Sequence, residues 1–382
     1  MSPLRPLITW FAVHVFGANA LTLQITPTGS GDKTYDYAEV LAFLSIATIT
    51  TIVWSVLARQ REHHISGQKW FRLFLRFALG TTMAQYGMVK AFPLQMPAPS
   101  LGRLLEPFGN MSPMGVLWAS LGASRGYEMF SGFMELTAAV LLFIPGITTC
   151  AAMFCFGVAL QIFVLNMTYD VPVKLLSFHL IVMCVVLLAP ETKRLFRFLI
   201  LNRATEPSTE PPLVQSRRGQ RAWIAAQLIF AVYVLAVGAY GSALSWKTRG
   251  GGAPKPPLYG MWVVDTMQID GHTRSPLVTD YDRWRRILFP ALGRMSFQRM
   301  DSNIVNYSMK HDANTHTLSL SKPDNTMWHA SFTYTQPAAD RLILDGKMDD
   351  HAIHMDLKLE DHTKMLLLTR GFHWIQETPF NR

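Results

Sequence analysis

The sequence predicts an α-helical transmembrane bundle of six to seven helices followed by an all-β antiparallel small barrel domain, and three observations carry that prediction. Of the 382 residues only 16% are charged while 49% are apolar, where an ordinary soluble domain carries about 25% charged residues. Residues 1–246 hold apolar runs of spanning length and carry 18 Lys/Arg against 11 Asp/Glu. Residues 247–382 carry 17 against 15, and their apolar residues recur at every second position, the period of strands. This division excludes a single soluble enzyme, a disordered scaffold and a collagen-like chain.

A helix needs about 20 mostly apolar residues to cross a bilayer. Six stretches qualify: 39–57, 70–92, 126–147, 148–168, 171–188 and 222–246. A seventh, 4–25, contains His14, Asn19 and Gln24, and reads as an interfacial or incomplete helix, as a span, or as a signal cleaved near Ala18-Asn19-Ala20. The N-terminal segment 1–37 is therefore set apart from a helical domain, 38–246. Basic residues near span ends are retained on the cytoplasmic side. One connection holds Arg59, Arg61 and Lys69, and another holds seven basic residues from Lys193 to Arg221. Both are expected inside, which places the C-terminal half on the outer face of a bacterial inner membrane.

The formal charge of +9 sits beside apolar runs and forms no stripe with interleaved aromatics, so nucleic acid is not an expected partner; the lipid bilayer is. Cys150, Cys155 and Cys184 all lie inside apolar runs and make up no disulfide framework or metal motif.

Residues 247–257, with Gly250-Gly251-Gly252 and three prolines, read as a linker. In 258–382, Trp328, Ala330, Phe332 and Tyr334 alternate with polar neighbours, as do Ile353, Met355, Leu357 and Leu359. Turn signals at Asp270-Gly271, 312–314, 323–325, 337–340, Asp349-Asp350 and Asp361-His362 divide the segment into about eight strands at hairpin spacing. Closure into a barrel removes the sheet edges. Gly260-Met261-Trp262 opens the first strand and Arg370 ends the last, which resembles the lipocalin-like arrangement of a G-x-W at the barrel entrance with an arginine over the indole.

Charged side chains within spans are costly and usually face the bundle interior, a partner or water. Arg76, Gly80, Met83, Gly87 and Lys90 step along one helix face, and Glu128 and Glu135 share a face of the next. Lys90, Glu128, Asp170 and Lys174 fall near the outer ends of their helices, while Glu135 and His179 lie about 12–14 Å deeper. These residues outline a polar funnel. Arg76 lies nearer the cytoplasmic side; with it, Lys90, Glu128, Asp170 and Lys174 of the funnel are candidates for binding a small amphiphile, and Glu135 and His179 for carrying protons. Interfacial ion pairing accounts for the residues near the surface equally well, and a structural ion pair accounts for Glu135 with Arg76 or Lys90. His351 and His354, an odd number of positions apart, would point to opposite faces of a strand, so no metal site is expected.

The runs Leu75-Arg76-Phe77-Ala78-Leu79-Gly80 and Tyr86-Gly87-Met88-Val89-Lys90, with Gly132 and Glu135 after them, resemble the DoxX-like membrane family. The segments 166–180, 29–37 and 371–382 resemble a longer bacterial branch of it. In that branch a further helix precedes the segment matching 4–25, so this chain is expected to start late. The core resemblance covers about residues 70–190. The family takes its name from a membrane subunit of thiosulfate:quinone oxidoreductase, so the resemblance implies quinone as cofactor and a redox partner protein. No redox centre is encoded by motif. The competing reading is a non-catalytic membrane module that binds a lipid-like ligand or assembles a partner complex.

Overall fold

The structure, a computed structural model, describes residues 3–59, 65–207, 214, 216–322 and 325–381. Arg61, Pro323, Asp324 and Arg382 lie outside the described residues. In chain order the helices are α1 (Arg5–His14), α2 (Thr34–Leu57), α3 (Ile65–Ala91), α4 (Leu101–Leu105), α5 (Pro113–Ala123), α6 (Arg125–Phe143), α7 (Thr148–Thr168), α8 (Lys174–Leu188), α9 (Thr192–Leu199), α10 (Arg217–Thr248) and, past the strands, α11 (Leu366–Thr369).

The chain divides into two compact units, one of residues 1–92 and 129–242, the other of residues 93–128 and 243–382. The connection 93–128 thus groups with the strands, whereas the sequence reading assigned it to the helical domain.

In the first unit, four helices are long and apolar enough to cross a membrane: α2, α7, α8 running on into α9, and α10. Their outward surfaces are apolar as well; on α2, Leu44, Ile49, Ile52, Val56 and Leu57 are all exposed. A soluble fold does not leave so much contiguous apolar surface in water, whereas lipid accepts it. Helices α3 and α6 are 27 and 19 residues long and carry the charged residues described below. α1 has ten residues, about 15 Å, and so is shorter than the ~30 Å hydrocarbon core. It packs on α2 through Ile8, Ala12, Ala38 and Ala42. Small residues also set the contact of α7 with α8, where Ala151, Ala152, Cys155 and Ala159 meet Leu180, Cys184 and Leu187.

In the second unit the strands are β1 (Gly260–Ile269), β2 (His272–Thr273), β3 (Trp284–Ala291), β4 (Arg294–Arg299), β5 (Ile304–Asp312), β6 (Thr317–Lys322), β7 (Asn325–Ala338), β8 (Arg341–Met348) and β9 (His351–Glu360). All pairings are antiparallel between neighbours, β9 returns to pair with β1, and the short β2 pairs only with β1. Eight strands therefore close into a barrel, the arrangement expected from about eight strands at hairpin spacing. The turn chemistry explains the register. Asp270 and Gly271 have φ of 51° and 78°, and Asp349 and Asp350 have φ of 50° and 65°, the paired left-handed residues of a tight hairpin turn.

The interior is packed with the chain's own side chains, among them Trp262, Met267, Phe289, Phe297, Phe332 and Met355. Trp262 is 2% exposed, and its indole N–H donates to the Leu258 carbonyl at 3.0 Å. Gly260 has φ of 150°, and a Cβ there would come within 2.7 Å of Leu359, so the G-x-W glycine answers to both backbone and space. Arg370 departs from the expectation. The last strand ends at Glu360, and Arg370 follows α11, with its guanidinium 4.6 Å from the Phe380 ring and bonded to Gln376. The buried arginine is Arg283, which donates to the carbonyls of Val264 at 2.9 Å, Arg274 at 3.1 Å and Trp284. Burial pushes its pKa below the ordinary arginine value. The sequence placed the arginine in the final strand because nothing in its pattern distinguishes Leu366-Leu367-Leu368 from one more strand.

Expressed alone, residues 258–382 should show a strand-dominated far-UV spectrum and a cooperative melt. In that segment Trp262→Ala should cost about 3–5 kcal/mol, read by urea titration; an unchanged midpoint would contradict the indole's place in the core.

Candidate functional site

The charged stripe of α3 is buried. Arg76 is 7% and Lys90 5% exposed, and Gly80, Met83 and Gly87 between them are buried too. The glycines determine what the stripe faces. A Cβ on Gly132 of α6 would lie 2.5 Å from the Ala91 nitrogen and 2.8 Å from the Gly87 carbonyl oxygen. One on Gly87 would lie 2.8 Å from Leu136. Here α3 and α6 touch backbone to backbone, as small residues permit in membrane helix pairs.

That contact brings Lys90 to Glu135. The Lys90 ammonium donates to Glu135 Oε1, and Glu135 is fully buried. Its second oxygen, Oε2, has no hydrogen-bond partner among the described residues. Tyr86, one turn before Lys90 and partly exposed, lies within Coulombic reach of the carboxylate, as does Cys155 of α7. The group can therefore hold a charge pair out of water and still accept one hydrogen bond at Oε2, or take a proton there.

The other expected site residues are satisfied elsewhere. Arg76 is not a partner of Glu135: its guanidinium donates to Gln227 Oε1 of α10 and to Thr148 Oγ1 of α7, the latter at 3.4 Å. Fourteen positions before Lys90, it lies about four turns away along α3. Glu128 is 1% exposed and accepts from the Met96 backbone N–H at 2.9 Å within the second unit.

Asp170 and Lys174 do pair, at 2.8 Å, with Asp170 83% exposed. Asp32 joins them: its carboxylate accepts from the Lys174 and Leu175 backbone N–H groups at 2.8 and 2.9 Å, capping α8. The His179 ring nitrogen Nδ1 bonds the Leu175 carbonyl oxygen of its own helix at 2.7 Å, and no hydrogen bond among the described residues joins it to Glu135. Of the residues grouped by helical depth, Lys90 and Glu135 are the pair that the α3–α6 contact brings together.

Among the described residues no group of three or more His, Cys, Asp or Glu is placed to hold a metal ion. His351 pairs with Asp270 and His354 with Asp345, each at 2.6 Å. Each carboxylate holds its imidazole above the ordinary histidine pKa.

Sequence reasoning missed Gln227, Thr148, Tyr86 and Asp32. Gln227 was a lone amide in an otherwise apolar run, which is the signal that an interior charge lies opposite. Asp32 follows Gly29-Ser30-Gly31, the composition of a turn, and a single chain gives no sign that it caps a helix starting at Lys174.

The chain is similar to the uncharacterized protein YwoB of Bacillus subtilis strain 168, at 32% identity over 127 residues that make up 31% of this chain and 72% of YwoB. The chain belongs to the YwoB family. No family model and no solved structure matches it. YwoB brings no activity with its name, so the chemistry has to be argued from the Lys90–Glu135 group.

Gly132→Ala should lower the stability of the full-length protein in detergent by about 1–3 kcal/mol, the cost of overpacking, measured as a fall in Tm. Gly157→Ala on α7, where a Cβ meets open space, should leave it unchanged or raise it. Equal effects would show that the α3–α6 backbone contact does not govern stability.

Proposed function

We propose that the chain is a bacterial inner-membrane protein of the DoxX-like type whose bundle, with α3 and α6 counted as spans, binds a small amphiphile in its outer half at Lys90 and Glu135. The observation that carries this reading is the buried carboxylate with one oxygen paired to Lys90 and the other without a hydrogen-bond partner among the described residues. A buried acceptor left open costs free energy unless something donates to it, and a hydroxyl arriving from the lipid phase is the donor that an apolar site admits.

A quinol is the amphiphile class to which the family resemblance points, and the residues present fit it: Glu135 Oε2 would accept its hydroxyl, and Lys90 would hold the carboxylate in place. Bound quinone would supply redox chemistry, with a partner protein as the other electron carrier. His179 has no part in this proposal, because its ring nitrogen is engaged with its own helix. The positive-inside pattern supports a C-terminal barrel on the outer face.

Glu135→Gln alone should destabilise the bundle by about 3–5 kcal/mol, because it leaves a buried ammonium without its counter-charge. Lys90→Met combined with Glu135→Gln should restore most of the Tm yet abolish the amphiphile recovered by native mass spectrometry and lipid extraction. The same amphiphile at the same occupancy in the double variant would overturn the binding role. Orientation is tested separately: a reporter active only outside the cytoplasm, fused after Arg382, should be active, and cytoplasmic signal there would reverse the topology.

A further inference from the structure

The chain leaves the barrel with apolar side chains that its own fold does not cover. Met365 packs against Leu101, Met261 and Leu288 on the outer wall of the barrel. Beyond it Leu366, Leu367, Leu368, Phe372, Trp374 and Ile375 are all exposed, Trp374 to 90%. A run of large apolar residues so open to water marks an interaction surface.

The strand order identifies what is within reach of that run. Met261 near the start of β1 pairs with Glu360 at the end of β9, so the chain enters and leaves the barrel at the same end. That end is tethered: α10, a helix long and apolar enough to cross a membrane, ends at Thr248, and β1 begins at Gly260. Twelve extended residues cover at most about 43 Å, so the entry end is the end of the barrel on the tether and is within reach of the bilayer. The hairpins at Asp270–Gly271 and Asp349–Asp350, at the opposite end, are polar.

Composition agrees with a bilayer. Tryptophan and other amphipathic aromatics concentrate at the membrane interface, and within the tail, residues 366–380, Arg370 and Glu377 balance in formal charge. Its affinity would therefore come from apolar contact, with little from anionic headgroups.

We propose that residues 366–380 are an interfacial anchor, lying in the headgroup–acyl boundary of the bilayer that the chain itself spans and holding the entry end of the barrel at the membrane. The proposal rests on the membrane-spanning reading of α10 and is independent of the Lys90–Glu135 site. It is tested on the full-length protein with Cys150→Ser as background, since Cys155 and Cys184 are buried. Single labels from Ile375→Cys, Val237→Cys in α10 and Asp349→Cys in a distal hairpin would carry an environment-sensitive fluorophore. The protein is reconstituted in vesicles of phosphatidylcholine, with and without phosphatidylglycerol.

The labels at 375 and 237 should lose emission to nitroxide-bearing lipid and resist aqueous iodide, while the label at 349 should do the reverse, in both lipid mixtures. Iodide quenching at 375 equal to that at 349 would overturn the anchor. Protection at 375 from both quenchers would overturn it too, because protein, in the form of the bundle or a second copy, would then cover the tail. Iodide access at 237 would remove the spanning reading, and the anchor with it, and so separates that failure from failure of the anchor alone.

Discussion

Lys90 and Glu135 are withdrawn from solvent as a pair, and neither could be buried without the other, since an isolated ion in a low-dielectric interior costs several kcal/mol even after relaxation. Pairing requires the two helices to approach more closely than ordinary side chains allow. Gly87 and Gly132 provide that approach, and with Gly80 against Phe143 they fix the distance of α3 from α6 over several turns. Once α3 is seated there, Arg76 further down the same face is carried to Gln227 and Thr148, which fixes α10 and α7 in turn. The apolar residues between these points, Leu79, Met83, Ala138, Ala139 and Leu142, then fill the space that the polar contacts define.

Much of the fold was legible in the sequence because its signals are local. The period-two alternation marked β7 and β9 directly, and the aspartate-rich turns marked two hairpins whose residues adopt left-handed conformations. The charged stripe of α3 was legible for the same reason: helical geometry fixes which residues share a face. Partnership across helices was not. Arg76 and Lys90 were equal candidates for Glu135 by charge and face, and only the axial position of the glycine contact chose Lys90. His179 was placed at the depth of Glu135 by counting residues, but depth along a helix says nothing of azimuth, and its ring turned back to Leu175. The helix of residues 4–25 stopped at His14, because hydropathy sets the environment of a segment and leaves its hydrogen bonding open.

The barrel solves a different problem by different means. Its strands bury one face each, and closure by β1 with β9 leaves no long unpaired edge for another chain to extend. The irregularity of β1 between Val264 and Thr266 would leave carbonyl oxygens without ladder partners, and the Arg283 guanidinium collects those of Val264 and Asp265. A single buried cation thereby serves several backbone acceptors, which explains how a charged side chain 2% exposed is tolerated beside an apolar core.

The cap on α8 has a consequence for how the polypeptide is made. Asp32 accepts from the backbone of Lys174, 142 residues later in the chain. At a synthesis rate of about 5–20 residues per second, the aspartate emerges roughly 7–28 s before the N–H groups that donate to it exist. Throughout that interval the start of α2 is left without the contact that holds it in the finished molecule, and every intervening helix must be threaded before it forms. The order of translation thus makes the N-terminal loop among the last parts of the bundle to settle.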